Sequence, residues 1–234
     1  MLSTRLSSHV PRSRDELAAM IDHTQLDPSA TTSSIEKTCE EAIRFGTHGV
    51  CVNPAWIPLI ADRLRMTRVN PVSVVSFPFG STTPTGKVFE AKQAIEDGAK
   101  EIDVVANLGW IAEGSYEPMA NEIRRVVSVA HEANAKVKVI LESALLDRFQ
   151  LKSVCQALLD TNVDFIKTNT GFAGHVTTPD QVAAIRSVVK NVIGIKASGG
   201  IHTFDTAMAV IRAGANRIGS SRSVDILKGF PDVQ

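Results

Sequence analysis

Three cysteines in 234 residues, Cys39, Cys51 and Cys155, are too few, too scattered and odd in number to build a disulfide framework, and none stands in a CxxC pair of the kind that holds zinc. A reducing compartment, the cytoplasm, is the expectation. Aromatic residues make up 5% of the chain, with Tyr116 its only tyrosine, so base-stacking platforms are not expected. Neither sign of charge dominates: 25 lysines and arginines meet 25 aspartates and glutamates, with no long run of one sign, and a nucleic-acid partner is not expected. Apolar runs are broken by glycine, proline or charge before the ~18–20 residues of a membrane span. The glycine-rich fingerprints of dinucleotide and P-loop sites are also missing after the early strand-like runs.

What is present is alternation. Short β-branched runs and amphipathic helical stretches follow one another in eight pairs, from "MIDHTQL" with "TTSSIEKTCEEAIRFG" to "NRIGSS" with "SVDILKGF". Gly46 suits a helix C-cap; Thr178 and Pro179 suit an N-cap and first helical position. Uninterrupted alternation implies parallel strands with right-handed crossovers. Eight units in this length predict an α/β fold, a single-domain (β/α)8 TIM barrel. The expected division is a short N-terminal helical extension over 1–20 and a catalytic barrel over 21–234. The first fourteen residues are Arg- and Ser-rich without an acid, as in transit peptides; the reading preferred here is a loose terminus before a helix at "SRDELAAM" with Ser13 as N-cap.

Two of the strands carry a misfit. "VDFIKTNTGF" and "NVIGIKASGG" each set a lysine, Lys167 and Lys196, late in a run that otherwise reads as buried. Burying an ammonium costs several kcal/mol unless it is paired or neutralised. In a barrel the catalytic groups gather at the C-terminal ends of the strands, and residues on adjacent parallel strands are separated by ~5 Å. Two ammonium groups in one pocket disfavour each other's protonation, and a neutral lysine is a nucleophile for carbonyls. Asp103, amid Ile102, Val104 and Val105, reads either as a buried partner for a cation or as a proton shuttle beside a Schiff base.

The segments "IDHTQL", "GVCVNP", "VSFPFGSTTPTGKVFEAKQAIEDGAKEIDVVANLG", "VKVILES", "FIKTNTGF", "IKASGGI" and "GANRIGSS" together resemble the deoxyribose-phosphate aldolase family, from about Ile21 to Ser223. The resemblance implies a class I aldolase that reversibly cleaves 2-deoxy-D-ribose 5-phosphate into glyceraldehyde 3-phosphate and acetaldehyde, with no metal or organic cofactor. It implies that Lys167 forms the Schiff base, that Lys196 lowers the pKa of Lys167 and assists proton movement, and that Asp103 relays a proton with Lys196 and a water. Gly171, Gly199, Gly200, Gly219, Ser220 and Ser221 match the binding loops, where glycine lets backbone N–H groups approach a phosphate. Asp22, Cys51 and Thr168 are implied behind the reacting groups. A homodimer or larger assembly is expected from the resemblance alone.

Several residues stay open. Asp22 reads as an acid near the lysines or as a stabiliser of the first turn, Asn53 as a substrate contact or a helix cap, and Cys51 as inert packing. Asn169, His202 and Arg222 depart from the commonest family form, and Asn169 and His202 raise the question of a retuned rim. A rival reading is a metal-dependent barrel lyase using His23, His48, His175 and His202, whose spacings fit no ligand motif. Another is a barrel that binds a sugar phosphate without turning it over.

Overall fold

The computed structural model describes residues 9–231; the start of the Arg- and Ser-rich segment and the last three residues lie outside them. A short helix α1 (Arg14–Ala18), whose N-cap Ser13 accepts from the Glu16 amide, leads into eight strands and nine further α-helices among the described residues. The strands are β1 (Ile21–Gln25), β2 (Gly49–Val52), β3 (Asn70–Val75), β4 (Glu101–Val105), β5 (Lys136–Ile140), β6 (Phe165–Lys167), β7 (Gly194–Ser198) and β8 (Arg217–Ser220). They pair in sequence order, all parallel, and β8 closes on β1, so the expected (β/α)8 barrel is the fold.

The helices between them are α2 (Thr32–Phe45), α3 (Ile57–Leu64), α4 (Pro84–Glu96), α5 (Leu108–Glu113), α6 (Tyr116–Glu132), α7 (Arg148–Leu158), α8 (Pro179–Val189), α9 (Phe204–Arg212) and α10 (Ser223–Lys228). Their ends follow local chemistry. Thr31, Thr178 and Thr203 close reciprocal capping boxes, Pro179 opens α8, and Gly46 ends α2 at φ +68°, where a side chain would be strained. The fourth unit has two helices rather than one: α5 lies between β4 and the long α6, started by the Asn107 side chain, which accepts from the Trp110 amide.

Alternation along the strands makes two interiors. One set of residues, Val50, Val52, Ile102, Val104, Val137, Val139, Ile166, Ile195 and Ile218 among them, packs outward against the helices in one continuous apolar layer. Each such side chain contributes roughly 1.5–3 kcal/mol by leaving water. The inward set differs from the β-branched filling usual in this fold. Around β2 and β3 it is apolar, with Cys51, Val72 and Val74 meeting Leu26 and Phe77. Around the other strands it carries Asp22, Glu101, Asp103, Lys138, Lys167, Lys196 and Arg217, with Val105, Ile140 and Phe165 between them. Outside the barrel, Lys87 on α4 is fully buried and donates to Glu122 Oε1 on α6 at 2.6 Å and to the Val105 carbonyl at 2.9 Å, which ties both helices to the end of β4.

Candidate active site

Register brings the two misfit lysines side by side. Lys167, the last residue of β6, is the direct partner of Lys196 on β7. Both ammonium groups donate to the same atom, Asp103 Oδ2 on β4, at 2.9 and 2.7 Å. The side chains of Asp103 and Lys196 are wholly buried, and that of Lys167 is nearly so. The pair is therefore not two bare cations: a carboxylate sits between them.

The network is larger than the sequence suggested. Lys138 on β5, also fully buried, reaches Asp103 Oδ1 at 2.7 Å and Glu101 Oε2 at 2.6 Å. Asp22 on β1 lies 2.5 Å from Lys196 Nζ and 3.0 Å from an Arg217 nitrogen, and Arg217 also reaches Glu101 at 3.5 Å. Asp22 thus belongs with the lysines rather than with the first turn. Four cations, Lys138, Lys167, Lys196 and Arg217, meet three carboxylates, Asp22, Glu101 and Asp103. Lys138, Lys196 and Arg217 each touch two or more of these carboxylates, whereas Lys167 touches Asp103 alone. Lys167 is therefore the cation with the fewest carboxylate contacts in the network.

Protonation equilibria follow the pairing. Burial alone would raise the Asp103 carboxyl, yet Lys138, Lys167 and Lys196 hold it well below the ordinary carboxylate range. Burial would likewise raise Glu101, but Lys138 and His48 bring it down to about 2. Burial would lower Lys196, and Asp103 and Asp22 instead push it above the usual lysine value, so this lysine is held as a cation. Lys138 is raised in the same way by Asp103 and Glu101, against burial. Cys51 lies 3.9 Å from Asp103 Oδ2, and burial pushes its thiol up, which makes it an inert neighbour.

Above the lysines opens a cavity of about 390 Å³ lined by Lys167, Thr170, Gly171, Phe172, Gly199, Gly200, Gly219, Ser220 and Ser221, with Thr24, Leu26 and His202 on its other walls. It collects the glycines and serines singled out in the loops after β6, β7 and β8. Gly171, Gly199 and Gly200 have φ of +87°, +100° and +73°. Gly219 serves a different purpose: a Cβ there would stand 2.9 Å from Lys196 Cε, so its absence makes room for that lysine. Among the described residues, the amide N–H groups of Gly171, Gly200 and Ser221 donate to no protein acceptor. Phe172 puts an aromatic ring on one wall; Phe77 meets it edge to face at 5.2 Å, and Lys167 Nζ lies 5.8 Å from the Phe77 ring centre.

Other expectations are redistributed. Thr168 is buried and accepts from the Ser198 amide at 3.0 Å, stapling β6 to β7 behind the lysines. Asn169 does not face the rim: its buried side chain accepts from the Ala144 amide at 3.1 Å and donates to Thr177 at 2.7 Å. His202 lines the cavity, whereas Arg222 points to solvent beside Asp225. Asn53 makes no cap bond and donates to the Leu26 carbonyl at 3.3 Å. Of the four histidines considered as metal ligands, only His48 has two carboxylates within ligand-sharing distance among the described residues, Asp22 and Glu101. Those carboxylates are already bonded to Lys138, Lys196 and Arg217, cations that oppose a metal ion there.

A parallel barrel with a lysine and a carboxylate converging at the C-terminal mouth, beneath a loop-lined cavity, defines an enzyme able to form an imine with a carbonyl substrate. Residues 17–228 match the family model described as DeoC/LacD family aldolase, and the chain belongs to that family. It is 46% identical over 219 residues to a deoxyribose-phosphate aldolase of Thermococcus kodakarensis, covering 93% of this chain and 98% of the relative. A deoxyribose-phosphate aldolase of a Geobacillus species is 44% identical, covering 92% and 96%. Among solved structures, a deoxyribose phosphate aldolase of Aeropyrum pernix, described as tetrameric, superposes with a TM-score of 0.88 at 32% identity, covering 94% of this chain and 93% of that one.

Proposed function

We propose that the chain is a class I aldolase that reversibly cleaves 2-deoxy-D-ribose 5-phosphate to D-glyceraldehyde 3-phosphate and acetaldehyde, in the breakdown of deoxyribonucleosides and deoxyribonucleotides. The observation that carries this reading is the sharing of Asp103 Oδ2 by Lys167 and Lys196 at the floor of the cavity. Lys167 Nζ adds to the aldehyde carbon of the open-chain sugar, and loss of water leaves a cationic imine. The C3 hydroxyl passes its proton to water, the C2–C3 bond breaks, and the electron pair of that bond moves into the imine to form an enamine. Glyceraldehyde 3-phosphate departs with the remaining carbons. Asp103, with Lys196, returns a proton to C2, and water then releases acetaldehyde and the free amine. Electrons balance without a redox partner.

The surroundings support each end of the substrate. The apolar wall of Leu26 and Phe172, with Phe77 packed beside Lys167, suits the two-carbon fragment next to that lysine. The free amides of Gly171, Gly200 and Ser221 suit the phosphate at the other end. No helix among the described residues is long and apolar enough to cross a membrane. On this reading the enzyme works in the cytoplasm as a homo-oligomer, a dimer or larger.

The test is acetaldehyde release from deoxyribose 5-phosphate, with borohydride added to trap the imine and peptide mass analysis to find it. Wild-type protein should release acetaldehyde and carry the reduced adduct on Lys167; activity with an adduct elsewhere, or no activity, would count against the assignment.

A further inference from the structure

β1 divides its side chains between two networks. Asp22 turns inward to the lysines, and the next residue, His23, turns outward between α2 and α10, where it is 4% exposed. His23 Nε2 lies 2.9 Å from Glu41 Oε2 on α2, and Nδ1 lies 3.0 Å from Ser223 Oγ at the start of α10. Ser223 donates its one hydroxyl hydrogen to the Ser220 carbonyl at 2.9 Å, so it offers His23 only a lone pair. The ionised carboxylate of Glu41 also offers only lone pairs. With the Ser223 hydrogen committed to Ser220, the bond between them is donated by His23 Nδ1, while Nε2 faces the Glu41 carboxylate.

The order Glu41, His23, Ser223 is not a nucleophile in waiting, because Ser223 is 1% exposed and its hydrogen is already committed. Its consequence lies one peptide away. In a trans peptide unit the C=O and N–H groups point in opposite directions. Holding the Ser220 carbonyl toward Ser223 therefore aims the Ser221 N–H the other way, and both serines line the cavity. That amide has no protein acceptor among the described residues. Ser220 is anchored on a second side, since its hydroxyl donates to the Ile201 carbonyl at 2.6 Å in the loop after β7.

We propose that His23, braced by Glu41, is a positioning residue: through Ser223 it orients the peptide between Ser220 and Ser221 so that the Ser221 N–H meets the phosphate of the substrate. The inference rests on the aldolase reading and on the cavity holding the phosphate. It concerns recognition of the phosphate and leaves the imine chemistry untouched.

Steady-state kinetics with deoxyribose 5-phosphate and with unphosphorylated deoxyribose test it in wild type, His23→Asn and Ser223→Ala. Both variants should raise KM for the phosphorylated sugar about tenfold, the scale of one weakened hydrogen bond to a charged group, with kcat nearly unchanged. For unphosphorylated deoxyribose, kcat/KM should stay close to wild type. Ser223→Ala keeps His23 and nearly all the side-chain volume, so it carries the test if His23→Asn does not fold. Equal losses on both substrates, or an unchanged KM for the phosphorylated sugar, would overturn the proposal. A wild-type enzyme that failed to cleave the phosphorylated sugar, or failed to prefer it, would instead overturn the reading beneath it.

Discussion

Lys167→Met is expected to lower kcat/KM for deoxyribose 5-phosphate by about 10⁴-fold and to abolish borohydride trapping, because the step that creates the electron sink disappears with the amine. A second lysine on the same carboxylate oxygen offers no rescue. Lys196 is completely buried and sits 2.5 Å from Asp22 and 2.7 Å from Asp103, and those carboxylates hold it as a cation against the pull of burial. An ammonium has no lone pair to add to a carbonyl. The variant should nonetheless fold. Methionine nearly matches the lysine in length, and its removal of one positive charge leaves three cations facing three carboxylates. Thermal unfolding and acetaldehyde release measured on the same sample separate the two effects. Residual activity above about 1% of wild type, far more than loss of a covalent nucleophile leaves, would move the imine to another residue.

How much of this was legible in the chain depended on what kind of signal each residue left. The barrel was legible because strand and helix periods alternate eight times, and Ser13, Gly46 and Thr178 announced their caps in local sequence. Lys167 and Lys196 stood out because each interrupts an apolar run. Lys138 did not. In "KVKVILES" it follows Lys136 at a spacing of two, which reads as one solvated face. Lys136 is indeed exposed, and Lys138, one strand step deeper, is fully buried. Depth along a barrel axis is set by the register between strands, which a single strand does not encode. Arg217 was missed for the same reason: it opens β8, but its register partner is Lys196, midway along β7. The aromatic wall was missed because Phe77 and Phe172 come from loops after β3 and β6, brought together only when the barrel closes. His23 was noticed as a metal candidate, and its neighbours give it other work.

Asp103→Asn should be the second large loss, a fall in kcat of about 10³-fold, the scale of a positioned acid–base group. An amide keeps the shape of the carboxylate and loses both its charge and its capacity to carry a proton. Stability should fall as well, by about 3–5 kcal/mol, the scale for breaking a buried ion pair, since Lys138, Lys167 and Lys196 would all lose the carboxylate they now share. The dependence on pH has a definite sign. The Asp103 carboxyl titrates lower in the folded protein than in the unfolded chain, because the three lysines outweigh burial. Its contribution is therefore fully present above the ordinary carboxylate range and is lost as pH falls through that range toward the folded value. Glu101, brought down to about 2, adds to the same acid limb. Wild-type protein should accordingly lose stability as the pH drops below about 4.5, where unfolded carboxylates begin to take up protons. The Asp103→Asn variant, already without that carboxylate, should start less stable at neutral pH and lose less on acidification, so that the two unfolding curves converge. Curves that stayed parallel from pH 7 into acid would mean that Asp103 is not ionised among its three lysines, and would remove the anion on which the proton relay depends.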